Sequence, residues 1–270
     1  MKKILIAGCA IFIATLVQGQ QKEGKVTYER TMQIQIRIND GHMNEEMQNS
    51  LPRSRKDNFE LVFGNNQSLW KQAEREMEDG GGDWNSGGMQ IRMVGSGTDD
   101  VLYSNFETKT RVEQRDMFEK KFIIDDSIKP LKWKMTAETK NILGHNCMKA
   151  TATRTSTSMQ MNMENGKMER KMVEDTSIVV AWFATDIPVS AGPAEFQGQL
   201  PGLILEMDVA NGRQVFKALE ISPKADLAVI KAPTGKKHYT REEYLKEVNK
   251  MMDEMQKNNG GPGRVMRVTN

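Results

Sequence analysis

Residues 26–38 carry the pattern that most restricts the fold of this 270-residue chain. Apolar and polar residues alternate along VTYERTMQIQIRI, and Arg30 is the one break in the alternation. A period of two predicts a β-strand with one face toward water. Thirteen residues at about 3.3 Å each would span about 43 Å. The usual strand has only about five or six residues. A strand this long predicts one large curved antiparallel sheet, either a half-barrel or barrel-like.

Similar patterns along the chain predict a mainly β protein with one domain over residues 20–257. The other predicted strands cover residues 58–63, 101–106, 110–124, 131–138, 177–185, 213–221 and 225–231. We found no internal repeat, so a single sheet is the simplest arrangement of these strands.

Two segments between the predicted strands have a different character. Residues 68–77 place Trp70, Ala73 and Met77 at helical spacing and predict a short helix. Residues 79–97 contain seven glycines together with Asp, Asn and Ser, and they predict a mobile loop with Trp84 near its tip.

The end of the chain predicts a helix over residues 240–256. Thr240 and Glu243 have the spacing of a capping box, and apolar residues follow at helical spacing. This helix is expected to pack on the sheet. Residues 258–270 are rich in Gly and Asn and predict a flexible tail.

The first 19 residues predict a secretory signal peptide. Lys2 and Lys3 precede an uncharged apolar run over residues 4–17, and cleavage is expected near Gly19. The run is shorter than the roughly 20 residues of a membrane span, so no transmembrane span is predicted. Cys9 resembles a lipoprotein cleavage site, but the apolar stretch before it is too short. We therefore expect an exported protein that is periplasmic, outer-membrane-associated or extracellular.

Charge and cysteine content exclude several classes of protein. Removal of residues 1–19 takes away two lysines and no acidic residue, so the formal charge falls from +2 to zero. A neutral chain favours neither nucleic acid nor an anionic membrane surface as a partner. Cys147 is then the one remaining cysteine, which rules out an intramolecular disulfide.

Two blocks of the sequence resemble a known family. Residues 181–193, AWFATDIPVSAGP, precede LPGLILEM, and an upstream Trp133 strand is followed by the pattern I-x-G-x-x-C-x-K-A from Ile142. This series is similar to the GLPGLI (Porph_ging-type) family of exported Bacteroidetes proteins. The motif residues are Trp182, Pro188, Gly192, Pro193, Pro201 and Gly202. Gln199 replaces the first Gly of the family motif, and Gly198 stands one position earlier.

The resemblance implies an exported, β-rich protein without an assigned activity. The expected layout is also similar to periplasmic lipoprotein carriers, whose half-barrel sheet holds acyl chains. That second similarity concerns architecture alone, and a fold does not establish a function.

The Pro201-Gly202 pair predicts a type II turn with Gly202 at positive φ. Leu200 and Leu203 flank this turn, and two interpretations of them remain open. Both leucines belong to the core, or both form the lip of an apolar ligand cavity.

A methionine-rich segment, MQMNMENGKMERKM at residues 159–172, predicts a hairpin. Asn165-Gly166 is the favoured two-residue type I′ turn, so Glu164 faces Lys167 and the strands pair outward from there. Five methionines then share one face with Arg170: Met159, Met161, Met163, Met168 and Met172. This face is interpreted as core or lid filling, as an apolar ligand surface, or as thioether ligands for Cu(I).

Recognisable catalytic chemistry is lacking in the sequence. The chain has three histidines, and His145 and Cys147 share a face if they lie on a strand. A Cys-His pair can form a nucleophile, but no oxyanion donor or third group can be named. In the copper alternative, His145 and Cys147 could add ligands to Met159, Met161 and Met163.

The sequence therefore predicts a non-catalytic envelope protein without a cofactor. Its predicted partner is an apolar small molecule or another envelope protein, and its oligomeric state is left open. The alternative is a Met-rich protein that binds Cu(I).

Overall fold

The computed structural model describes residues 21–33, 53–73, 83–86, 89–94, 100–117, 120–164, 167–258 and 267–269. Within these ranges the chain is mainly β, with one α-helix, α1, at Arg241–Asn258. The strands, numbered β1 to β15 in chain order, are Gly24–Gln33, Ser54–Gly64, Gln67–Gln72, Asp83–Ser86, Met89–Val94, Val101–Asn105, Thr110–Met117, Lys120–Ser127, Lys134–Ile142, His145–Glu164, Lys167–Ala184, Leu203–Val209, Gln214–Ser222, His238–Thr240 and Arg267–Thr269.

Twelve strands form one sheet in the order β14-β8-β7-β6-β3-β2-β1-β13-β12-β11-β10-β9. Neighbouring strands are antiparallel except β14, which pairs with β8 in parallel over three residues. The order is linear, so the sheet is open, with β14 and β9 at its two edges. The predicted mainly β fold with one large antiparallel sheet and a C-terminal helix is confirmed.

Most of the predicted strands are present, with different ends. The predictions at 58–63, 101–106, 131–138, 177–185 and 213–221 fall on β2, β6, β9, β11 and β13. The predicted strand at 110–124 is two strands, β7 and β8. The strand predicted at 225–231 is wrong, because Asp226 caps a single-turn 3-10 helix by accepting a hydrogen bond of 2.9 Å from Ala228. Strand β1 covers the first prediction up to Gln33, and residues 34–38 lie outside the described ranges.

The helix predicted at 68–77 is wrong over residues 68–72, because residues 67–72 form β3; residues 74–77 lie outside the described ranges. Asn65 and Asn66 have φ of 50° and 58°, the positive values that a two-residue hairpin turn needs. The turn folds β3 back on β2, where Leu69 and Trp70 become buried. Tertiary burial therefore overrides the helical spacing of the apolar residues.

Strands also occur inside the segments predicted as loop and tail. Strands β4 and β5 pair antiparallel within residues 79–97, with Trp84 opposite Ile91. Strand β15, in the predicted tail, pairs with β5 in parallel, and the three strands form a second, small sheet. The remaining residues of both segments lie largely outside the described ranges.

The main core lies on one face of the large sheet, here called the inner face. Trp70 stacks on Phe59 with ring centres 4.9 Å apart, and Tyr28 lies 5.4 Å from the same indole. Tyr28 pairs with Ala218 on the neighbouring strand β13. Its hydroxyl donates a hydrogen bond to the carbonyl of Ile204 on β12, one strand further along the sheet. Second-neighbour strands lie about 9.6 Å apart in a flat sheet, so this contact indicates that the sheet curves and that its inner face is concave. Burial raises the pKa of Tyr28 far above its ordinary value.

Arg30, the break in the alternation of β1, faces a buried acid. Its guanidinium lies 2.9 Å from the Asp57 carboxylate on β2 and 4.6 Å above the Phe59 ring. Arg55 lies 2.9 Å from the other oxygen of the same carboxylate. Burial alone would raise the pKa of Asp57, but the two arginines outweigh it and hold this pKa below its ordinary range. Arg30 therefore lies on the inner face like the apolar residues that alternate with it, and Asp57 neutralises its charge.

Helix α1 docks on β8 and β14 through a smaller second core. Tyr244 and Val248 pack with Phe122, Ile124 and Tyr239. The predicted capping box is confirmed: Thr240 N–H donates to the Glu243 carboxylate at 2.8 Å, and Glu243 N–H donates to Thr240 Oγ1 at 3.2 Å.

Candidate functional site

Residues 185–202, the signature segment, connect β11 to β12 across the inner face of the sheet. Their apolar side chains enter the main core, and its buried residues from this segment include Ile187, Ala191, Phe196 and Leu200. At the far side of the concave face, the buried Ser68 hydroxyl on β3 donates to the Gln197 side chain. The segment therefore spans from β11 to β3 and covers the concave face with the chain's own residues.

Gln199, the departure from the family motif, is a hub of hydrogen bonds. Its Oε1 atom accepts from the backbone N–H of Leu131 at 3.0 Å and from Trp133 Nε1 at 3.1 Å. Its Nε2 atom donates to the carbonyl of Glu195 at 3.1 Å. The side chain thus fastens the signature segment to the residues that lead into β9.

The predicted type II turn at Pro201-Gly202 is wrong, because Gly202 does not have a positive φ. Gly202 is needed for a different reason: a Cβ atom there would lie 2.0 Å from the carbonyl oxygen of Ala184. Positive φ occurs instead at Gly198, where φ is 72°. The close approach of two backbones, not turn geometry, excludes a side chain at position 202.

Leu200 and Leu203 are buried in the main core, at 2% and 0% exposure. This burial agrees with the interpretation that the two leucines fix the turn in the core. Gly192 adds to the dense packing, since a Cβ atom there would lie 2.7 Å from the Ile204 side chain. A ligand role for Leu200 or Leu203 stays a prediction.

Trp182, the first motif residue, lies on the opposite, outer face of β11 and is half-buried. The ammonium groups of Lys140 and Lys149 lie 5.4 and 5.8 Å from its ring centre. Lys140 also contacts Glu206 at 2.7 Å, and Lys149 contacts Glu138 at 2.9 Å. The indole is thus shielded by paired lysines. Of the three motif prolines on the signature segment, Pro188 and Pro201 are exposed and Pro193 is buried.

Strands β10 and β11 extend beyond the rest of the sheet as a two-stranded arm. Strand β9 pairs with β10 only up to Thr151, and β12 pairs with β11 only from Val179. The twelve pairs from Thr153–Ile178 to Glu164–Lys167 have no third strand in the part of the chain that the structure describes. Twelve residues at about 3.3 Å each make this arm about 40 Å long.

Two ion pairs hold the base of the arm. Arg154 on β10 lies 2.8 Å from Glu195 of the signature segment, and its guanidinium lies 5.5 Å from the Phe196 ring centre. On the other strand, Asp175 lies 2.9 Å from Arg213 in the β12–β13 turn. These contacts fix the direction in which the arm leaves the sheet.

The backbone register of the arm confirms the pairing predicted for the methionine-rich hairpin. Met163 faces Met168, Met161 faces Arg170, and Met159 faces Met172, with Glu164 opposite Lys167. The Asn165-Gly166 turn itself lies outside the described residues. The five methionine positions therefore fall within five successive pairs at the far end of the arm.

His145 and Cys147 lie at the other end of β10. The Nδ1 atom of His145 lies 2.7 Å from the Asp186 carboxylate. Cys147 is fully buried in the main core, and burial, aided by the negative charge of Asp186, raises the pKa of its thiol to about 11. A raised pKa keeps the thiol protonated near neutral pH, which disfavours a nucleophilic role.

The structure does not bring His145 and Cys147 together with the methionines. Strand β10 is continuous from His145 to Glu164, so twelve residues separate Cys147 from Met159. At about 3.3 Å per residue the separation is about 40 Å. Within the described ranges, no group of three or more His, Cys, Asp or Glu residues is placed to hold a metal ion. A copper site at the methionines would therefore not include His145 or Cys147.

Sequence analysis missed the arm and the role of Gln199. The signal for the arm was present: between His145 and Ala184, Asn165-Gly166 is the one strong turn signal, so both strands had to be long. The Gln199 contacts had no local signal, because Trp133 lies 66 residues earlier in the chain.

The fold and the signature segment define the class of this protein: a mainly β protein whose open twelve-strand sheet is covered on its concave face by the segment between β11 and β12. A family model described as a protein of unknown function, Porph_ging, matches residues 133–206. This match confirms the family resemblance that the signature residues indicated. No curated protein matches the chain.

Among solved structures, a structure of PNGF-II in the C2 space group is similar to this chain, with 16% sequence identity and a TM-score of 0.48. The similarity covers 85% of this chain and 32% of that chain, so this chain spans about a third of the length of PNGF-II. No helix in the described ranges is long and apolar enough to cross a membrane.

Proposed function

We propose that this protein is an exported, non-catalytic binding protein whose partner is another protein of the cell envelope. The observation that carries the proposal is the arm, a ribbon of twelve residue pairs without a neighbouring strand in the described chain. An isolated two-stranded ribbon is marginally stable in water. Its edges also present unpaired N–H and C=O groups that recruit a further strand.

The filled interior favours a protein partner over an apolar small molecule. Phe196, Leu200 and Leu203 occupy the concave face, each exposed by 2% or less. In a lipid carrier, that face would be left open for the acyl chain. The arm, by contrast, offers a long edge to an extended segment of another protein.

The buried thiol supports the non-catalytic part of the proposal. Cys147 is packed in the core with a raised pKa, so it lacks the exposed thiolate of a catalytic cysteine. His145 is paired with the exposed Asp186 and not with a nucleophile.

Export is the part of the proposal that the first 19 residues support. The intact mass of the protein from an envelope fraction should correspond to a chain that begins near Gln20. A chain that begins at a diacylated Cys9 would contradict cleavage at the signal peptide site.

Photo-crosslinking in the cell tests the arm as the binding surface. A photoreactive amino acid replaces Thr157 or Glu174, which are exposed and face each other across the arm. The control position is Lys224, which is equally exposed but lies far from the arm in sequence and outside the sheet. We expect a discrete covalent adduct with a polypeptide from both arm positions and none from the control. Equal adduct patterns at all three positions, or no adduct, would contradict the proposal.

Copper handling is the second candidate function. It is favoured by the clustering of the five methionine positions near the tip of the arm, since thioethers are ligands for Cu(I). A copper titration, described in the Discussion, separates it from protein binding.

A further inference from the structure

Among the residues that the structure describes, no strand pairs with the outer edge of β11 along the arm. One hydrogen bond identifies which residues direct their backbone groups to that edge. The carbonyl of Ile178 accepts a bond of 2.9 Å from the N–H of Ala210, in the turn after β12. In an antiparallel ladder, alternate residues direct their N–H and C=O groups to the same side. The backbone groups directed to the open edge therefore belong to Met168, Arg170, Met172, Glu174 and Thr176.

We propose that this edge binds a second copy of the same chain, with two β11 strands pairing antiparallel about a two-fold axis at Val173. The inference rests on the proposed function of the arm and names its partner. A closed two-fold pair is the commonest form of homo-oligomer, and strand addition at an open edge is a common way to build one.

Charge disfavours most of the other registers that give a long ladder. A two-fold axis through an antiparallel ladder makes one residue face its own copy. An axis at Glu169, Arg170, Lys171, Glu174 or Asp175 would place identical charges opposite each other. An axis at Met172 would place Glu169 opposite Asp175. Like charges directly opposite destabilise a pair of strands.

An axis at Val173 avoids every such clash. It places Lys171 of each copy opposite Asp175 of the other. Arg170 then lies opposite Thr176, and Glu169 lies opposite Ser177. Asp175 already contacts Arg213 within its own chain, and both side chains are about half exposed, so the carboxylate can accept a second cation. The register thus forms two opposite-charge pairs and places no like charges directly opposite each other.

The length of the open edge agrees with the same axis. Pairing about Val173 joins residues 169–177 of each copy, and Met168 would next oppose Ile178. The carbonyl of Ile178 is already bonded to Ala210 in the turn after β12, so the ladder ends there. The register favoured by charge therefore uses the free edge up to that limit and no further.

Charge reversal tests the proposal on the purified mature protein, by sedimentation over a range of concentrations. We expect the wild type to dimerise reversibly. Lys171→Asp and Asp175→Lys each create two like-charge contacts, and each should weaken dimerisation about tenfold or more. The double variant K171D/D175K restores opposite charges and should recover the dimer, while Lys224→Asp outside the arm should leave it unchanged. A monomeric wild type, or a double variant no better than the single ones, would overturn the proposal.

A disulfide scan locates the axis. In a Cys147→Ala background, Val173→Cys should form a covalent dimer under mild oxidation, because the residue on the axis faces its own copy. Met172→Cys and Glu174→Cys should form it far more slowly, since each faces a different residue. Equal rates at the three positions would overturn the register. These measurements use the purified chain alone and so test dimerisation separately from binding to another protein. If the purified protein is a monomer but the arm forms adducts with another polypeptide in cells, the dimer proposal is wrong and the proposed binding function still holds.

Discussion

Trp133 Nε1 donates a hydrogen bond of 3.1 Å to Oε1 of Gln199, and this bond joins the signature segment to the residues before β9. The same oxygen also accepts a hydrogen bond from the backbone N–H of Leu131, so one side-chain oxygen accepts from two donors. A glycine at position 199, as in the family motif, would leave both donors without this acceptor.

A double-mutant cycle on this pair gives the first prediction. Gln199→Ala should lower the free energy of unfolding by about 1–3 kcal/mol, because it removes the acceptor of two half-buried donors. Trp133→Phe removes one donor and keeps an aromatic ring. In urea unfolding, the two changes should couple by about 1 kcal/mol, and strict additivity would mean that the bond adds no stability.

Gly202→Val should destabilise the protein for a steric reason. The added Cβ atom would lie 2.0 Å from a backbone oxygen, Ala184 O, which cannot rotate away as a side chain would. We expect a loss of about 1–3 kcal/mol or more, measured by thermal or urea unfolding. Pro201→Ala is the matched control, because Pro201 is exposed and its loss should cost well under that amount. An equal loss in both variants would indicate that the turn and not the contact is responsible.

Cys147 should be inert and should make stability depend on alkaline pH. Burial raises the pKa of the folded thiol to about 11, so the folded state retains a proton that the unfolded state loses from about pH 9 upward. This contribution to stability is complete below pH 9 and is lost as the pH rises toward 11. Comparison of wild type with Cys147→Ala isolates it. Iodoacetamide at pH 8 should modify the thiol only in denaturant, and rapid labelling of the folded protein would contradict the assigned burial.

Replacement of the five arm methionines by leucine separates copper binding from an apolar role. The change keeps apolar volume, usually costs less than about 1.5 kcal/mol at a packed site, and removes the sulfur. We expect neither protein to compete with a Cu(I) chelator, and both to remain folded. Tight Cu(I) binding by the wild type that disappears in the leucine variant would favour the copper alternative.

The parts of this fold that sequence analysis predicted are those fixed by local chemistry. The Asn165-Gly166 signal predicted the register of the arm, and the Thr240–Glu243 capping box predicted the start of α1 within one residue. In both cases the signal lies within a few residues of the structure that it determines.

The parts that failed depend on distant contacts. The burial of Trp70 in β3 depends on Tyr28 and Phe59 of other strands, so helical spacing misled the prediction for this segment. Gly202 was assigned a positive φ because Pro-Gly often forms a type II turn, whereas the real constraint is the backbone of Ala184. Of the candidate site, the pairing of the methionines was predicted, but the length and isolation of the arm were not, because they depend on where β9 and β12 end.

Native mass spectrometry of the protein extracted from its own envelope tests the central claim most directly. The comparison is between wild type and a variant that lacks residues 157–162 and 169–174. This deletion removes six pairs from the arm, joins Ser156 to Met163 and Met168 to Asp175, and preserves the alternation of faces because six is even. The variant should remain folded, since the core lies outside the arm. We predict that wild type carries a second polypeptide, either another protein or its own copy, and that the shortened variant does not. A wild type without a bound polypeptide, or the same complex in both proteins, would contradict the account.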